Sequence, residues 1–147
     1  MSSTGRAAEV AAYDKVLEGK RFLAAEDNFL NAGILTELLE LEGATVEIVE
    51  NGQLAVERFE QASPGEFDAI LMDVQMSVMN GHAAARAIRA LDRADARTIP
   101  IIAMTADAFV EDEKAALAAG MNAHVAKPLE IDDLKRAVDR HVEKGRA

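Results

Sequence analysis

Glu26 and Asp27, Asp73, Thr105 and Lys127 are the residues of this chain whose types could together do chemistry. Each follows a short apolar run: Arg21 to Ala25 before the acidic pair, Phe67 to Met72 before Asp73, Ile99 to Met104 before Thr105, and Ala123 to Ala126 before Lys127. Three carboxylates gathered at one place repel one another, and a hard divalent cation relieves that best. Magnesium takes oxygen ligands, keeps several waters and is held by one or two carboxylates plus phosphate oxygens. A carboxylate beside a metal and a lysine can attack a phosphoryl group and form an aspartyl phosphate. The metal and Lys127 would then neutralise the phosphoryl oxygens while the Thr105 hydroxyl donates a hydrogen bond. Taken singly, each residue has a plainer reading. Glu26-Asp27 opens a solvated loop and caps a helix beginning near Asn28, Thr105 caps a strand end, and Lys127 is a surface cation. Their joint appearance after successive runs is what favours a site.

Short apolar runs of this kind predict buried parallel strands. In open α/β sheets the ligand site lies beyond the carboxyl ends of the strands, so residues distant in sequence can meet there. Between the runs the spacing turns helical. Leu30, Ile34, Leu38 and Leu41 mark one predicted face, ended by Gly43. Thr45 to Val49 is β-branched and alternates as a strand does, and Ala55, Phe59 and Ala62 mark a second helix closed by Ser63-Pro64-Gly65. A third carries Ala84, Ile88 and Leu91. For a fourth, Asp107 is the expected cap, Glu111, Asp112 and Glu113 lie near its positive end, and Gly120 stops it. The last carries Ile131, Leu134, Val138 and Val142. Five strand and helix units in strict alternation predict an α/β fold, a five-stranded parallel sheet with helices on both faces.

A length of 147 residues, half of them apolar, suits one domain with one core. Lys and Arg number 16 against 26 Asp and Glu, and the formal net charge of -10 disfavours nucleic acid and anionic membrane as partners. The chain has no cysteine, which excludes disulfides, thiol catalysis and a cysteine-ligated zinc. Met1 to Ala12 lacks the apolar segment of a secretory signal, and no stretch approaches a membrane span, so a cytoplasmic protein is expected. Residues 1–18 read as an extension, disordered at first and then a short amphipathic helix through Glu9, Val10, Tyr13, Val16 and Leu17. The folded domain is expected over 19–143, with 144–147 as a tail.

Four stretches in order, Leu23-Ala-Ala-Glu-Asp-Asn28 with Asn31 after it, Leu71-Met-Asp-Val-Gln-Met76 running to Asn80-Gly81, Ile99 to Ala106, and Lys127-Pro128, resemble the receiver domain of two-component response regulators, closest to the type found in hybrid histidine kinases. The likeness covers roughly Gly19 to His141. It implies the flavodoxin-like strand order 2-1-3-4-5, Asp73 as phosphoacceptor, and Mg2+ held by Glu26, Asp27, Asp73 and the backbone carbonyl of Gln75. It also implies Thr105 and Lys127 on the phosphoryl group, and a cis bond before Pro128. The implied protein is a phosphorylation-controlled switch rather than a turnover enzyme, with slow self-dephosphorylation. A histidine kinase or histidine phosphotransfer protein would be its donor, docking near Asn28, Phe29 and Asn31, and a downstream protein would read the face of the fourth helix, fifth strand and fifth helix. A phosphatase of related chemistry would want a second aspartate two residues after the nucleophile, where Gln75 stands. The remaining alternative is a phosphate-independent receiver-like interaction module.

Departures from the family's pattern carry their own expectations. Ser77 stands where proline is usual and predicts a freer loop around Gln75. Asn80 replaces the commoner aspartate and keeps a good turn pair with Gly81. His124 stands where the family often has the aromatic residue that swings inward as Thr105 moves, which predicts a switch pair, Thr105 and His124, that is weaker or pH-dependent. His82 and His141 are expected on helix surfaces, and Met72, Met76, Met79, Met104 and Met121 in the core and loops.

Overall fold

Each apolar run becomes a strand of one parallel sheet in the computed structural model, which describes residues 15–106 and 110–142. The strands are β1 (Arg21–Ala25), β2 (Thr45–Val49), β3 (Ala69–Asp73), β4 (Ile101–Thr105) and β5 (Ala123–Ala126), in the order β2-β1-β3-β4-β5. That is the flavodoxin-like order expected from the family resemblance. Asp73 and Thr105 are the last residues of their strands rather than the first beyond them.

The helices between them are α1 (Phe29–Leu41), α2 (Gly52–Gln61), α3 (Gly81–Arg89), α4 (Val110–Ala118) and α5 (Ile131–His141), with an additional turn at Asp95–Thr98. Because side chains alternate along a strand, the sheet buries one layer on each face. Leu23, Ile70, Met72, Ile101 and Ala103 pack against α2, α3 and α4, while Phe22, Ala24, Leu71, Ile102 and Val125 pack against α1 and α5. Gly43 and Gly120 end α1 and α4 with positive φ of 85° and 99°. No helix among the described residues is long and apolar enough to cross a membrane.

One expectation and one of the plainer readings need correction. The core face of α1 is Leu35 and Leu39, not the stripe from Leu30 to Leu41: Leu30 is 71 % exposed and Leu41 76 %, while Leu39 is fully buried. The helix is apolar on more than one side, so spacing alone did not single out the inner one. Glu26 does not open a solvated loop but is buried, and α1 is capped by Asn28, whose side chain accepts the Asn31 N–H at 2.9 Å. Residues 1–14 of the expected extension, the Asp107 cap and the whole 144–147 tail lie outside the described residues. Val16 and Leu17 belong to a turn before β1, where Leu17 is fully buried against the α1 and α5 side of the sheet.

Candidate functional site

The ladder hydrogen bonds of the sheet run past the strand ends and fix the backbone that carries the site. Glu26 N–H donates to the Val49 carbonyl at 3.0 Å, Val74 N–H to Met104 at 3.0 Å, and Lys127 N–H to Thr105 at 2.8 Å. Together with the β1–β3 pairing, which sets Ala25 against Met72, these bonds place the loops after β1, β3, β4 and β5 side by side. The result is that Glu26, Asp27 and Asp73 each offer a carboxylate oxygen within 4.8 Å of the others. Glu26 and Asp73 are buried and Asp27 is exposed, so the cluster has an inner wall and an open side.

Lys127 neutralises part of the charge on the inner wall. Its ammonium donates to Asp73 Oδ2 at 2.8 Å and lies 3.0 Å from Glu26 Oε1. The other oxygens take backbone donors: Asn28 N–H reaches Glu26 Oε2 at 3.1 Å, and Gln75 N–H reaches Asp73 Oδ1 at 3.1 Å. Burial pushes the Asp73 carboxyl above its ordinary pKa and nearby Glu26 pushes the same way, against the bonds from Lys127 and Gln75. For Lys127 burial acts downward, but the bonds to Asp73 and Glu26 outweigh it and hold the ammonium proton more tightly than usual. The site therefore keeps its lysine charged and still lacks positive charge around Asp73. An all-oxygen donor set of this kind fits a hard divalent cation such as Mg2+.

The loop after Asp73 is shaped by close approach. A Cβ on Gly81 would stand 2.4 Å from the Asp73 carbonyl oxygen, so only glycine lets α3 begin so near the end of β3. Asn80 caps that helix by accepting the Ala83 N–H at 2.9 Å, a role its turn-like sequence did not disclose. Val78 takes a positive φ of 69°, and Met79 N–H bonds the Ser77 carbonyl at 2.8 Å, a three-residue turn strained for a β-branched residue. Ser77 N–H also points to Asp27 Oδ2 at 3.4 Å, a contact that proline could not make. Lys127-Pro128 is cis, as expected.

Thr105 and His124 were singled out in the sequence as a pair, and they line one small cavity with Val74, His82, Ala103, Glu113 and Ala116. His82 corrects the sequence reading. A helix-surface histidine was expected, and the residue is half-buried, with an Nε2 that is buried and has no hydrogen-bond partner. Periodicity gave no signal for this, because the cavity is formed by three other elements. Phe29, at the start of α1, is 94 % exposed. Beside it a groove is lined by Asn31, Ile34, Leu35, Pro128 and Leu129 and reaches Glu26 and Lys127.

Comparison with known proteins bears on this arrangement. A family model for the response regulator receiver domain matches residues 22–139. The chain is 41 % identical over 109 residues to hybrid signal transduction histidine kinase M of Dictyostelium discoideum, covering 74 % of this chain and 4 % of that protein. It is 38 % identical over 119 residues to the sensor protein GacS of Pseudomonas syringae pv. syringae, covering 80 % of this chain and 13 % of the relative. The chain thus spans a small part of the length of the curated relatives it matches. Among solved structures, it superposes with a TM-score of 0.74 and 38 % identity on the receiver domain of sensor histidine kinase PA1611 from Pseudomonas aeruginosa PAO1, which has a magnesium ion coordinated in the active site cleft; 84 % of this chain and 97 % of that one are covered. The receiver domain of Ssk1, solved with the histidine phosphotransfer protein Ypd1 of Saccharomyces cerevisiae, matches at 28 % identity and a TM-score of 0.71, with 84 % and 88 % covered. With five parallel strands in the order 2-1-3-4-5 and an acidic cluster bridged by a lysine at their carboxyl ends, the chain belongs to the response regulator receiver domain family of two-component and phosphorelay signalling.

Proposed function

We propose that Asp73 accepts a phosphoryl group from a cytoplasmic phosphohistidine. Glu26, Asp27, Asp73 and the Gln75 carbonyl would hold Mg2+, which supplies charge neutralisation at the phosphoryl oxygens. The observation that carries this reading is the placement of Lys127 between Glu26 and Asp73 with Asp27 in the same cluster. A carboxylate oxygen of Asp73 attacks phosphorus, the phosphorus to nitrogen bond of the donor breaks, and the imidazole leaves with the electron pair. Lys127 keeps its proton and contacts the phosphoryl oxygens, and the Thr105 hydroxyl turns toward them to donate a hydrogen bond. Gln75 stands where a phosphatase of related chemistry would carry a second aspartate, which favours a switch with slow self-dephosphorylation over a turnover enzyme. Exposed Phe29 and the neighbouring groove toward Lys127 support docking of a histidine kinase or phosphotransfer protein at the start of α1. The downstream protein would read the face of α4, β5 and α5.

Intact mass after incubation with Mg2+ and acetyl phosphate tests the reading. One added phosphoryl group is expected for the native chain, and none for Asp73→Asn or without Mg2+. If no adduct forms and beryllofluoride does not bind, the phosphate-independent interaction module takes its place.

A further inference from the structure

We propose that His82 and His124 form a hydrogen-bonded latch behind Thr105, closed when the two imidazoles rotate toward one another in the cavity they share. The inference rests on the phosphoacceptor reading and adds the device that registers it. His82 reaches the cavity from α3, His124 from β5 and Thr105 from the end of β4. The buried Nε2 of His82 has no hydrogen-bond partner, and a buried nitrogen left unbonded is unfavourable. His124 brings a ring with a donor and an acceptor to the same cavity. While Thr105 lines the wall, Nε2 stays unbonded; when its hydroxyl turns to the phosphoryl group, the wall opens and the rings pair.

Two neutral imidazoles make such a bond, the N–H of one donating to the bare nitrogen of the other. Among the described residues Glu113 of α4 also lines the cavity, and β4 contributes the uncharged Thr105.

The test is nitrogen NMR of the backbone amides, the Lys127 ammonium and the imidazoles in the full chain with Mg2+, with and without beryllofluoride, at about pH 7.5. Beryllofluoride is expected to shift the His82 Nε2 resonance to a hydrogen-bonded position in the native chain and not in His124→Leu. His82→Leu and His124→Leu are each expected to lower the population of the active arrangement by about threefold or more, with the double variant no worse than either, and His82→Gln to restore part of it. A response at Asp73 and Lys127 without one at His82, or the same shift in His124→Leu, overturns the latch alone. No response at Asp73 and Lys127 overturns it together with the phosphoacceptor reading.

Discussion

Asp73 sits where burial and a neighbouring carboxylate favour its protonated form. Its pKa in the folded chain lies above that in the unfolded chain, so the folded state binds this proton more tightly. The resulting stabilisation is present below the unfolded pKa and is lost as pH rises through the raised folded pKa. At neutral pH, without divalent metal, ionised Asp73 therefore costs stability. Asp73→Asn is expected to be more stable than the native chain there, on the order of 1 kcal/mol, by denaturant midpoint in a chelator. The gain should shrink toward acid and on adding Mg2+; an unchanged difference across pH would sink the argument. The carboxylates, Thr105 and Lys127 were legible in the sequence because an apolar run locates a strand end, and a parallel sheet brings strand ends together. The cavity around His82 Nε2 was not, because it depends on how β4, α4 and β5 meet against α3, and no local pattern records that meeting.

The helices show where periodicity fails. In α2 and α5 one stripe is apolar, and the expected residues Ala55, Phe59, Leu134 and Val138 are buried. In α1 apolar residues occur on more than one side, so a regular spacing also picks out Leu30, Ile34 and Leu41, which the fold turns to solvent. The consequence is measurable by equilibrium unfolding. Leu39→Ala is expected to cost about 2–5 kcal/mol, whereas Leu41→Ala should stay within about 0.5 kcal/mol. Equal losses would restore the outer stripe to the core. Elsewhere side chains tie elements together in ways no motif announces. Arg93, in the segment after α3, donates to the Phe59 and Glu60 carbonyls near the end of α2, lies 4.6 Å from the Phe59 ring centre, and pairs with Asp95. Arg89 of α3 does the same for the turn before β5, donating to the Gly120 carbonyl and to Asn122 Oδ1.

At the scale of the molecule, alternation of runs and helices made a parallel sheet covered on both faces legible, but it left the strand order open. Crossover handedness prunes the topologies without selecting one, and the order came from the family's motifs. Leu17 lies outside the domain boundary read from sequence, yet it is fully buried, and Gly19 N–H bonds the Gly43 carbonyl at 2.9 Å. Leu17→Ala is expected to lower stability by about 2–5 kcal/mol, and a chain begun at residue 19 by a similar amount, both read from the denaturant midpoint. Leu17 has a mechanical meaning too. A pull or twist applied to the polypeptide ahead of Lys15 meets an anchor packed with residues of α1 and α5, so tension reaches those helices before it reaches β1.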